Sequence, residues 1–192
     1  VRFANPKGAL RLGPNQAAVA LANRAPQRFT EIRPRNAVRW ALYYPPIVDY
    51  RVTAYPGDKA GPAVVQALKY YRASNIDRAL AALADVPGQA RDGRFFALRA
   101  GLLLSVGRVD EARADIDRSL AADPNHAEAV ALTSVIALTR NQADEALELA
   151  ERAVALDATS PVPLMALSYA YQARFDLHAA REAVRHAVDL AP

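Results

Sequence analysis

Asp110-Glu111-Ala112-Arg113 and Asp144-Glu145-Ala146-Leu147 are two copies of one pattern, and Asp77-Arg78-Ala79-Leu80 and His178-Ala179-Ala180-Arg181 flank them in the same register. The alanines at 79, 112, 146 and 180 follow one another at intervals of 33, 34 and 34 residues. A period of this length marks a supersecondary unit that cannot bury its apolar face alone and stacks on copies of itself. The chain aligns as four units, 60–92, 93–126, 127–160 and 161–192.

Two antiparallel helices that approach closely need small side chains where they cross. The units supply them in three columns. Ala67, Ala100, Ser134 and Ser168 occupy the first helix; Ala79, Ala112, Ala146 and Ala180 the second; Val86, Ser119, Ala153 and Ala187 the point where the second helix meets the next unit. Only Val86 is not small. Larger apolar residues recur between these columns at helical spacing, among them Phe96, Leu103, Ile116, Val130, Leu147, Leu164 and Tyr171, and are read as core. Gly107-Arg108 and Asn141-Gln142 fall in the turns within units, and Asp123-Pro124-Asn125 between units, where such residues stop one helix and start the next.

In period and small-residue columns, residues 60–192 resemble the tetratricopeptide repeat family. Departures are the aromatic near the start of a unit, present only as Phe96, the family's first-helix glycine, replaced by Ala or Ser, and the early end of the first unit at Pro87-Gly88. The resemblance implies a mostly α fold, a solenoid of four helix pairs preceded by a small strand-containing segment. It also implies a ligand groove lined by the first helices. By column those positions are Val64, Leu68, Tyr71 and Arg72; Arg94, Ala97 and Leu104; Glu128, Val135 and Leu138; Val162, Met165, Tyr169 and Gln172. The Lys and Asn with which family members clamp acidic tails are missing from this set, and the apolar lining fits an apolar helix or an extended strand of a protein partner.

Residues 1–59 read differently. Alternation at Ala17-Val19-Leu21, at Phe29 and Ile32, and at Val48-Tyr50-Val52-Ala54 is the period-two pattern of half-buried strands, separated by Pro6, Gly8, Gly13, Pro14, Pro26, Pro34 and Pro56-Gly57. A short helix is expected over 36–44, with Asn36 as cap and Pro45-Pro46 as terminator. The stretch 16–50, above all the run from Arg33 to Pro46, resembles the tail of a FecR-like β domain. That resemblance implies a periplasmic or extracellular setting and a further region upstream, and the start at Val1 without Met suits a processed protein or a piece of a longer one.

Chemistry has no candidate in the sequence. There is no Cys, which removes disulfides, thiol nucleophiles and thiolate metal sites together. His126, His178 and His186 have no metal-pair spacing, and Tyr55-Pro56-Gly57-Asp58-Lys59-Ala60-Gly61 lacks the spacing of a phosphate-binding loop. His126, in an Asp-Pro-Asn-His turn, suits a helix cap. No catalytic residue, cofactor or metal is expected, and no apolar run approaches the roughly 18 residues of a membrane span. Residues 1–59 carry ten basic against three acidic side chains, whereas the remainder is net −3. The arginines are scattered and not stacked on one helix, so a solvated or partner-facing basic surface is favoured over nucleic-acid binding.

The expectation is a non-catalytic protein-interaction and assembly module that associates head to tail with copies of itself or with an envelope partner. The assembly surface would join Trp40, Tyr43, Tyr44, Val48, Tyr50 and Val52 of one copy to Val184 and Val188 of the next. The alternative is a monomeric adaptor that binds a partner's apolar peptide or helix in the groove.

Overall fold

In the computed structural model, the described residues are 2–5, 7–11, 17–19, 25, 27–29, 47–49 and 61–190. The chain divides into two compact units, Val1–Ala41 and Leu42–Pro192. The boundary expected between residues 59 and 60, the helix expected over 36–44, and Trp40, Tyr43, Tyr44, Tyr50 and Val52 lie outside the described residues.

The first unit contains two separate antiparallel strand pairs among its described residues. Strand β1 (Arg2–Asn5) pairs with β2 (Gly8–Arg11), Asn5 opposite Gly8, and β3 (Ala17–Val19) pairs with β4 (Gln27–Phe29), Ala17 opposite Phe29. Alternation had pointed to β3 and β4. Gly8, read as a breaker, instead opens β2.

The second unit is an α-solenoid of tetratricopeptide type. Its four helix pairs are α1 (Gly61–Arg72) with α2 (Ile76–Ala84), α3 (Gly93–Ser105) with α4 (Val109–Ala122), α5 (Ala127–Thr139) with α6 (Ala143–Leu156), and α7 (Pro161–Ala173) with α8 (Leu177–Leu190). All twelve residues of the three small-residue columns are buried. Two of the buried serines satisfy their hydroxyls by donating across the crossings. Ser134 Oγ donates to the Ala146 carbonyl at 2.7 Å, and Ser119 Oγ to the Gly93 carbonyl at 2.8 Å.

The helix ends follow from local chemistry. Asn75, Asp92, His126 and Ser160 are N-caps whose side chains accept a backbone N–H of the first turn, and Pro161 fills the first-turn place of α7, where no amide partner is required. Within each pair the first helix ends in the same way, with Ser74, Gly107, Asn141 and Phe175 in the left-handed region at φ of 55°, 77°, 61° and 62°. The following amide reaches back five residues in every case: Asn75 to Tyr70, Arg108 to Leu103, Gln142 to Ala137, Asp176 to Tyr171. This is a C-terminal cap that turns the chain sharply and suits Gly or Asn. Ser74 and Phe175 occupy it at a cost, because a left-handed L-residue costs roughly 1–2 kcal/mol.

The first pair is irregular at its end. Helix α2 has 9 residues where α4, α6 and α8 have 14, and a 3-10 turn at Gly88–Ala90 follows it. Arg91 compensates by donating from Nε to the Val86 carbonyl at 2.9 Å and from Nη2 to the Ala84 carbonyl at 3.1 Å.

Candidate protein-binding site

Helices α1, α3, α5 and α7 carry the expected groove residues. Val64, Leu68, Ala97, Leu104, Val162 and Tyr169 are buried, Tyr71, Glu128, Val135, Leu138, Met165 and Gln172 are half-buried, and Arg72 and Arg94 are exposed. Gln172 Nε2 donates to Ser168 Oγ at 3.1 Å, one turn back on α7.

A stretch of the chain itself covers part of this surface. Ile47, Val48 and Asp49 form neither helix nor strand, and all three are buried. Ile47 and Val48 sit on α3 at Gly101. A Cβ added to Gly101 would lie 2.8 Å from the Ile47 carbonyl oxygen, closer than real Cβ atoms approach, and 3.0 Å from Val48 Cγ2, a tight contact. Ile47 belongs to the apolar cluster that also holds Leu103, Leu104, Val130 and Tyr169, and Val48 to the one that holds Val64, Leu68, Leu98 and Leu102. Consecutive residues that serve different clusters project to opposite sides, as in an extended chain.

Two corrections follow. Residues 48 and 49, expected to open a strand, make none, and Val48 packs instead on the helical array. Val48, expected on a surface offered to another copy, is buried in its own second unit and is not exposed for docking.

Gly101 was missed, although a signal existed. Its column reads Leu68, Gly101, Val135, Tyr169, so one unit alone lacks a side chain in the groove. Gly inside a helix costs roughly 0.5–1 kcal/mol relative to Ala, and is explained here by the close passage of a backbone.

A second missed feature lies beside it. Arg99 on α3 grips Asp115 on α4 with two bonds, Nε to Oδ2 at 2.6 Å and Nη2 to Oδ1 at 2.7 Å, and Arg118 Nη1 adds a third to Oδ1 at 3.0 Å. Asp115 is 1% exposed. The Arg99 guanidinium also lies over the Phe95 and Phe96 rings, 5.3 and 5.8 Å from their centroids, and Arg118 over Phe96 at 5.5 Å. The hydrogen bonds to Asp115 hold the Arg99 guanidinium above its ordinary pKa. The arrangement locks α3 to α4. The units on either side place Gln66 and Ala82, or Thr133 and Leu149, in the same two columns, so the pair is confined to one repeat.

The last described helix, α8, carries Leu177, Val184 and Val188 on one face. In the second and third pairs the matching residues are Val109 and Ala143; Ile116 and Ala150; Leu120 and Val154; all are buried or half-buried. On α8, Val184 is half-buried while Leu177 and Val188 are 66% and 55% exposed. Phe175, in the turn before α8, is 88% exposed.

The described residues contain no group of three or more His, Cys, Asp or Glu able to hold a metal ion, and none of their helices is long and apolar enough to cross a membrane. The acidic side chains Asp110, Glu111, Asp144, Glu145, Glu148 and Glu151 are exposed, Glu111 paired with Arg108 and Asp144 with Arg174.

The sequence matches no protein-family model and no curated protein. Among solved structures, the chain is similar to MamA (41-end) from Desulfovibrio magneticus RS-1, at 26% identity over 71% of this chain and 77% of that one, with a TM-score of 0.48. A crystal structure of MamA at 13% identity covers 84% of this chain and 95% of its own, also with a TM-score of 0.48. MamA MSR-1 matches at 16% identity over 83% and 97%, with a TM-score of 0.42. The assignment of the fold rests on the helix pairs themselves. None of these comparisons bears on the FecR-like stretch.

Proposed function

We propose that this chain is a non-catalytic protein-interaction and assembly module whose helical array binds polypeptide. The observation that carries this reading is the seat of Ile47 and Val48 at Gly101: the first-helix face takes up non-helical apolar chain, with a glycine where the backbone passes. The finer reading is head-to-tail self-association through the face of α8 where Leu177 and Val188 are left exposed at positions the second and third pairs cover. A surface of this kind is heterologous and gives rings or open filaments instead of closed twofold dimers.

Sedimentation over a wide concentration range tests it. The wild-type chain is expected to form larger species as concentration rises, and Leu177→Asp with Val188→Asp to stay monomeric. A wild type that is monomeric throughout removes self-association and leaves the monomeric adaptor, for which the occupied groove is the supporting observation. The periplasmic or extracellular setting implied by the FecR-like stretch belongs to the same proposal, and fractionation that finds the native protein inside the cytoplasm would remove it.

A further inference from the structure

The groove is not simply open to a partner. Gly101 stands where the other first helices place Leu68, Val135 and Tyr169, and the space its missing side chain leaves is filled by the backbone of residue 47 and the side chain of Val48. A helix-interior glycine is unfavourable unless something must pass close to it, and here the chain itself passes. Ile47 and Val48 are both β-branched and each enters a different apolar cluster, so the strap joins the cluster of the first two helix pairs to the one that runs from the second pair to the fourth.

We infer that residues 47–49 are a built-in ligand that keeps the Gly101 notch closed, and that the partner of this groove is an extended polypeptide segment with two adjacent β-branched residues, which enters by displacing the strap. This inference rests on the reading of the array as a polypeptide-binding module. The strap is tethered to α1 through residues 50–60, and a short tether holds a ligand at an effective concentration of about millimolar order. A competing segment therefore binds with an affinity reduced by the fraction of molecules whose notch is empty. The strap offers the apolar clusters two side chains, Ile47 and Val48, so that fraction is open to change by a partner segment that brings more.

The probe is a fluorescein-labelled peptide with the sequence of residues 45–52, PPIVDYRV, titrated into the full chain. The double variant Ile47→Ser with Val48→Ser, its notch vacated, should bind the peptide at least about tenfold more tightly than wild type. Adding Gly101→Ala to that variant should abolish the gain, since a Cβ would stand 2.8 Å from the position of the passing carbonyl oxygen. Equal affinity for wild type and double variant, or a gain that survives Gly101→Ala, overturns the strap while leaving the array a peptide binder. Failure of the peptide to bind any of the three folded proteins overturns both. Should the double variant lose its helical circular dichroism, hydrogen exchange on wild type decides. Saturating peptide is expected to strip protection from the Val48 and Asp49 amides while α3 keeps its own, and unchanged protection at those amides sinks the proposal.

Discussion

Helix pairs α3/α4 and α7/α8 are built on the same columns and use them in opposite ways. Where α3 and α4 carry Arg99, Gly101, Gly107 and Asp115, the last pair carries Leu167, Tyr169, Phe175 and Ala183. The second pair thus has a buried ion pair, a vacated groove position and a turn with ideal residue choice. The fourth has apolar packing, a filled groove position and a bulky aromatic in a left-handed turn. What both keep is small residues at the crossings, Ala100 and Ala112 against Ser168 and Ala180. The crossings specify the fold, and the remaining columns are free to be spent on local needs.

The comparison breaks most sharply at Arg99. Replacing it with Met leaves Asp115 buried with Arg118 as its cationic partner among the described residues, so a loss of about 3 kcal/mol is expected in urea denaturation. Installing the last pair's solution, Arg99→Leu with Asp115→Ala, should bring stability back to within about 1.5 kcal/mol of wild type, because an ion pair replaced by apolar packing no longer leaves a lone charge. If the single variant is as stable as wild type, the ion pair does not lock α3 to α4.

A smaller loss, about 2 kcal/mol, is expected from Ala146→Leu, which drives a larger side chain into a crossing where Ala146 is fully buried and its carbonyl accepts from Ser134. Thermal melts by circular dichroism read it. A variant that melts with the wild type would mean that small side chains are not required in this column, and the shared template of the two pairs would fall with it.

How far this was legible in the sequence depends on the reach of each contact. The Ala79, Ala112, Ala146 and Ala180 column is a steric requirement repeated in every unit, so periodicity displays it. Gly107 and Asn141 advertise left-handed turns because those residue types suit them, whereas Ser74 and Phe175 occupy the same turn unannounced, since such a cost can be borne where the flanking helices fix the backbone. The Gly101 notch depends on a segment more than fifty residues away that has no repeat of its own, so its alternation alone points Val48 to a strand and a surface although it is core. Arg99 and Asp115 belong to different helices, and only the break in their two columns marks them.

Phe175 sharpens the contrast in the other direction. Substituting Asn, the residue that the third pair uses at the equivalent Asn141, removes left-handed strain from a side chain that is 88% exposed, and should raise stability by about 1 kcal/mol. The unfolding midpoint is the readout, and a lower midpoint would show that the ring has packing the exposure conceals. Association measured on the same variant separates two roles: a more stable chain that no longer self-associates would place Phe175 in the assembly surface, and one that associates as before would confine that surface to α8.

The smallest effect concerns His126, which joins the two pairs' surroundings at the start of α5. Its Nδ1 accepts the Ala129 amide at 3.4 Å, so the cap requires the neutral imidazole. Burial pushes its pKa down, Asp123 and Asp92 oppose that shift, and Arg94 reinforces it. A proton there would also meet the positive end of α5. The folded state therefore takes up this proton at a lower pH than the unfolded chain, whose imidazole titrates near about 6.5. The stabilising contribution is complete above that value and is lost as pH falls through the depressed folded pKa. Asn keeps a cap without a titrating group, so His126→Asn is expected to match wild type at pH 8 and to lose less stability than wild type between pH 7 and 5. Parallel urea midpoints for the two proteins across that window would show that α5 begins without help from the neutral ring, and its start would then be attributable to the turn in which the Asp123 carboxylate accepts the Asn125 amide and the Asp123 carbonyl accepts the His126 amide.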